Sequence, residues 1–295
     1  MHIITCATHN EGYFDVLKKS CKKNGHKLKI LGWKQGKNWK GNISKFKYII
    51  EYLKKIDQNE IVLVVDAFDV MILANSNEIE HKFKKMNKKF LCGAEKVDNF
   101  TKKIVEERFN KLTKIPYKKT PTGYNYLCSG TIISYAGYAL KIYQKCLENN
   151  NGEESDQVEL VRIYLTTNLI DIDWKNELFY TIPGFNYSEL GHQNFFKPGQ
   201  YDNLYFFKNR IYNKETKTFP CLIHLIHNGD LCEKFARKLG YKCKGKRFSN
   251  KYLIKKTYYH IKNNKEIIAA IYTIFILLIL AIIFGIWFGI KKIRN

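Results

Sequence analysis

Residues 61–65, Ile-Val-Leu-Val-Val, hold no polar position. An unalternating aliphatic run of this length fits a strand buried on both faces, as in a parallel sheet covered by helices. The segments before it agree. "HIITCAT" (2–8) reads as a first strand, Glu11 to Lys23 as a helix stopped near Asn24-Gly25, and "HKLKILGW" (26–33) as a second strand. After a glycine-bearing loop, "ISKFKYIIEYLKKI" sets Phe46, Ile49, Ile50 and Leu53 on one helical face. This β-α-β-α-β order predicts an α/β fold with right-handed crossovers. Beyond Asp69 the pattern predicts a helix over 77–86, a strand in "FLCGAE", a polar, proline-punctuated excursion over 96–124 and a strand in "YNYLCSGTIIS". Helices over 136–148 and 156–165 follow, then short aromatic strands and turns from Asp171 to Phe219.

One apolar segment breaks this pattern. Residues 267–290 are 24 positions without a charge, roughly 36 Å of helix against a hydrocarbon core of about 30 Å. A C-terminal transmembrane helix is the expectation, with a buried core helix as the alternative. The formal net charge of +23 is also local: Lys234 to Lys265 hold twelve Lys or Arg and no acid, while residues 1–233 hold thirty-five basic and twenty-six acidic side chains. The expected organisation is a domain over 1–233, a basic juxtamembrane connector over 234–266, a span over 267–290 and a tail over 291–295. Basic residues beside a span suit anionic headgroups, which leaves nucleic acid the weaker reading of the same stretch. The N-terminus lacks the charged and apolar regions of a signal peptide, and the positive charge lies mainly before the span, so the domain is expected to face the cytosol. Eight cysteines show neither CxxC nor zinc spacing and are read as reduced thiols.

Asp66 and Asp69 close the aliphatic run. Three apart on a strand they would point to opposite faces, so they converge only if the strand ends near Asp66 and the chain turns. Ligands of open α/β sheets bind beyond the C-terminal strand ends. Two carboxylates meeting there repel unless a cation lies between them, and hard oxygen ligands suit Mg²⁺ or Mn²⁺. The aspartate-nucleophile phosphatases also place two acids after an apolar strand, but two apart rather than three.

Seven motifs in one order, "TCATHNEGY", "LGWKQGKNWKGN", "VVDAFDVMIL", "CGAE", "YLCSGTIIS", "SDQVELVRIYL" and "HLIHNGD", resemble the glycosyltransferase domain of the procollagen lysyl hydroxylases over residues 2–235. The resemblance implies a GT-A-like, Rossmann-type mixed sheet flanked by helices, binding a UDP-sugar through Mn²⁺, with Mg²⁺ as the alternative. It puts the metal on Asp66, Asp69 and His227, with His224 as the rival histidine that otherwise packs. It places Thr5 and Lys45 near the nucleotide and Gly229 near the phosphates. Asp156 falls near the acceptor or transferred sugar, as catalytic base or positioning group. The plain alternatives are a solvated helix residue for Lys45 and a helix N-cap or first-turn acid for Asp156.

The chain departs from that family's pattern at Cys128, where an asparagine is usual, and in lacking a tryptophan after Glu95. The implied activity is transfer of glucose or galactose from a UDP-sugar to a hydroxyl acceptor on protein or glycan, hydroxylysine of a collagen-like protein among them. A catalytically inactive, membrane-tethered adaptor on the same fold is the alternative.

Overall fold

The computed structural model describes residues 1–39, 41–96, 116–148, 155–182, 203–226, 229–243 and 272–273. Strand β1 (His2–Cys6), helix α1 (Phe14–Lys23), β2 (Leu28–Leu31), α2 (Ser44–Leu53) and β3 (Ile61–Val65) follow the order that the pattern predicts. β1 pairs in parallel with both β2 and β3. After the turn at 66–69 come β4 (Val70–Ile72), α3 (Ser76–Met86), β5 (Phe90–Glu95), β6 (Tyr126–Tyr135), α4 (Ala136–Glu148), α5 (Asp156–Thr166) and β7 (Asp171–Ile172). Last come β8 (Phe179–Ile182), the hairpin β9 (Leu204–Phe207) and β10 (Arg210–Asn213), β11 (Leu222–Leu225) and α6 (Gly229–Lys238).

The main sheet has the order β2-β1-β3-β6-β5-β7. It is mixed, because β6 runs antiparallel to both β3 and β5. Both faces of β3 are covered, which explains its lack of alternation. Ile61, Leu63 and Val65 join one core with Phe14 and Leu17 of α1 and Ile79 and Phe83 of α3. Val62 and Val64 join another with Phe46, Ile49 and Leu53 of α2 and Ala139, Ile142 and Tyr143 of α4. Each such side chain fully buried contributes about 1.5–3 kcal/mol, and the strand that leads to Asp66 is buried along its whole length.

A second sheet, β4-β11-β8, is absent from the linear pattern. β4 is three residues long, too short for any period to show. It runs antiparallel to β11 with His224 opposite Val70, and Leu225 N–H donates to Asp69 O at 2.9 Å. A third irregularity lies in β6. Cys92 of β5 faces Ile132, but the next residue, Gly93, faces Cys128, so Ser129, Gly130 and Thr131 have no partner on β5. Such bulges bend a strand and re-aim its neighbours.

The chain divides into two compact units, Met1–Lys246 and Arg247–Asn295. The first includes α6 and buries Phe235, Ala236, Leu239 and Tyr241, residues that the sequence pattern assigned to the connector. All eight cysteines are free thiols. The apolar run 267–290 lies outside the described residues except for 272–273. Among the described residues no helix is long and apolar enough to cross a membrane.

Candidate active site

β3 ends at Val65, and Asp66 holds the next place of its register with β6, its N–H donating to Gly130 O at 2.8 Å where β6 bulges away from β5. The chain turns over 66–69 and re-enters β4 at Val70. Asp66 and Asp69 thereby meet, as the end of the aliphatic run required. The antiparallel pairing of β11 with β4 then delivers His224 to the same point. One ligand atom from each of Asp66, Asp69 and His224 lies within 4.8 Å of the others.

Asp69 and His224 are buried and Asp66 is half-buried. The Nε2 of His224 lies 3.2 Å from Asp69 Oδ1 and 3.9 Å from Asp66 Oδ2, yet this buried nitrogen makes no hydrogen bond. Burial opposes a charge on the ring, while Asp69 and then Asp66 and Glu95 favour it, leaving the pKa above the ordinary histidine value. The other ring nitrogen, Nδ1, is 3.3 Å from Cys128 Sγ. Under the ring sits Gly130, where an added Cβ would fall 2.1 Å from His224 Cε1 and 2.8 Å from Asp66 Oδ2. No residue with a side chain fits there.

Two carboxylates, an imidazole nitrogen without a hydrogen bond and a cradle kept open by glycine fit a divalent cation. The sequence reading preferred His227 and kept His224 as its rival; the Nε2 of His224 faces both aspartates. His227, the histidine expected there, lies outside the described residues.

Lys45 and Asp156 adjoin this cluster. The Lys45 ammonium is 3.0 Å from Asp66 Oδ1 and 2.5 Å from Asp156 Oδ2, and both Lys45 and Asp156 are buried. Burial alone would lower the Lys45 pKa, but Asp156 and then Asp66 outweigh it, and the ammonium is held charged well above its ordinary range. Lys45 is therefore not the solvated helix residue of the plain reading. Asp156 stands in the first turn of α5 behind Ser155, which occupies the N-cap position without a side-chain capping bond. The neighbouring Gln157 accepts from Ser129 N–H at 3.3 Å, tying α5 to the bulge.

Thr5, expected to touch a nucleotide, is buried and donates its hydroxyl to Val65 O at 2.7 Å. It fastens β1 to the strand that ends in Asp66. Gly229 opens helix α6, where N–H groups and the helix dipole suit a phosphate. Cys128, Gly130 and His224 are the site residues that sequence reasoning undervalued. Gly130 carried a signal, since a glycine inside a strand pattern marks a bulge or a close approach.

Sheet, strand-end acids and motif order together make this a glycosyltransferase-type α/β domain. The chain belongs to the PLOD GT domain family, whose model matches residues 1–237. "Uncharacterized protein R699" of Acanthamoeba polyphaga mimivirus is 27% identical over 214 residues, covering 70% of this chain and 41% of that protein. Human "Procollagen-lysine,2-oxoglutarate 5-dioxygenase 2" is 26% identical over 199 residues, covering 62% of this chain. The chain spans 25% of the length of that human relative. Among solved structures, mouse xyloside xylosyltransferase 1 in its apo form aligns with a TM-score of 0.42 at 12% identity, over 76% of this chain and 96% of that one.

Proposed function

We propose that the chain is a UDP-sugar-dependent hexosyltransferase that moves glucose or galactose to a hydroxyl acceptor. The observation that carries this reading is the convergence of Asp66, Asp69 and His224 at the C-terminal end of β3, within a domain of the PLOD GT family. These three residues hold a divalent cation, Mn²⁺ ahead of Mg²⁺ because an imidazole joins the carboxylates. When bound, such an ion offsets the negative charge that gathers on a diphosphate leaving group.

The residues around it orient and balance. Asp66 divides its oxygens, Oδ1 toward Lys45 and Oδ2 toward His224. Lys45 neutralises Asp66 and Asp156 together, which keeps two acids side by side in a buried site. With Lys45 on its Oδ2, Asp156 suits the positioning of a sugar hydroxyl better than proton abstraction, which needs an open lone pair on the acceptor side. Gly229, at the start of α6, lends its helix N-terminus to the phosphates. An inactive adaptor has no use for this convergence.

The test is UDP release by the full chain from a panel of UDP-sugars, with and without Mn²⁺, beside Asp66→Ala and Asp69→Ala. Metal-dependent release lost in both variants establishes the class and names the donor. No turnover, with no UDP binding by calorimetry, leaves the tethered adaptor. The 24 uncharged residues at 267–290 support a further part of the proposal, anchorage in a bilayer with the domain facing the cytosol. Extraction at alkaline pH and protease protection test it: release from vesicles, or a protected domain, would refute it.

A further inference from the structure

We infer that Cys128 is a positioning residue for His224: its sulfur takes the Nδ1 side of the ring and leaves Nε2 facing Asp66 and Asp69. The inference rests on the cation-holding reading of those three residues and goes one layer outward from it. A neutral imidazole carries one proton. A nitrogen that offers its lone pair to a cation leaves that proton on the other nitrogen, where it requires an acceptor that fixes both tautomer and ring angle.

The hydrogen-bond contact of His224 Nδ1 is Cys128 Sγ at 3.3 Å, with both side chains buried. The two positions are set by different parts of the sheet. β11 places His224 through its pairing with β4, while Cys128 and Gly130 come from the bulged part of β6. Cys128 flanks the ring, and Gly130 lies under it, its missing Cβ clearing a space 2.7 Å from Nδ1. With the sulfur at Nδ1 and Gly130 against the Cε1 edge, Nε2 faces Asp69 Oδ1 at 3.2 Å.

Mn²⁺ binding to the full chain, followed by electron paramagnetic resonance and calorimetry without nucleotide, tests this. Cys128→Val, close in size but without an acceptor, is expected to weaken Mn²⁺ binding by about tenfold or more. Cys128→Ser, which restores a polar partner, is expected to stay near wild type. Long-range ¹H–¹⁵N correlation on histidine-labelled wild type saturated with diamagnetic Mg²⁺ is expected to show the proton on Nδ1. That measurement decides the matter even if Cys128→Val does not fold. A proton on Nε2 would overturn the inference, as would Cys128→Val binding Mn²⁺ as tightly as wild type while Asp66→Ala has lost it. Unchanged Mn²⁺ affinity in His224→Ala would also overturn it and remove His224 from the cation-holding set, while leaving Asp66 and Asp69 in it. A wild type that does not bind Mn²⁺ removes both.

Discussion

Gly130 has no side chain because His224 lies where one would be. Gly130→Ala would put a methyl group 2.1 Å from His224 Cε1, and overpacking of that kind costs about 1–3 kcal/mol. Thermal unfolding should show the loss, and Mn²⁺ affinity should fall with it because the displaced ring is the proposed ligand. Lys45 is critical for a different reason. Lys45→Met leaves Asp156 buried and without its ammonium, a loss of about 3–5 kcal/mol; adding Asp156→Asn should restore much of it, as read by urea denaturation. The pH response of His224 has two signs. Its pKa is raised in the fold, so in the metal-free protein its contribution to stability is complete below about 6.5, the unfolded value, and is lost as pH rises through the folded value. Cation binding runs the other way, because a proton on His224 competes with the ion. Mn²⁺ affinity should therefore increase up to the raised pKa and level off above it, which titrations at several pH values will show.

At the scale of elements, the site depends on two departures from regular strands, the turn at 66–69 and the bulge at Ser129–Thr131. The aliphatic run and its terminal acids were readable because a fully buried strand admits carboxylates only at its end. Which of His224 and His227 joins the two aspartates was not readable. His224 reaches the site through the pairing of two short strands 150 residues apart in sequence, and no local pattern encodes that register. The entry to β8 has a similar hidden determinant. Asp173 accepts backbone N–H bonds from Glu177 at 3.1 Å, Leu178 at 2.7 Å and Phe179 at 2.8 Å. Asp173→Ala would strand the buried Leu178 and Phe179 donors in the interior, at about 1–3 kcal/mol for each buried group left unsatisfied. Urea denaturation should report a loss of at least about 2 kcal/mol. Because β8 pairs with β11, Mn²⁺ affinity should weaken alongside it.

Across the whole molecule, two cores flank one sheet, and the site sits where that sheet meets the smaller one. The unit Met1–Lys246 reaches beyond the last site strand to bury Leu239 and Tyr241, and Lys19 Nζ donates to Lys242 O at 2.8 Å. A fragment of residues 1–246 should accordingly melt like the same unit within the full chain, as thermal unfolding of the two will show. A fragment ending before Gly229 that melts in the same way would contradict this division. The charge imbalance belongs to this scale as well. With most of the basic excess after residue 233, removing the stretch beyond Lys246 should leave Mn²⁺ binding unchanged, because the cation's ligands lie within the first unit.

The order of strands and helices, the buried character of β3, the role of Asp66 and Asp69 as its closing acids and the family itself were all written in local pattern and motif order. These properties depend on residues near one another in the chain, where periodicity and burial leave a signature. The antiparallel insertion of β6, the three-residue bulge, the delivery of His224, and the burial of Lys45 against Asp66 and Asp156 were not. Each is a contact between segments distant in sequence, and its energy comes from strand register and from charges desolvated together, quantities that exist only once the chain has folded.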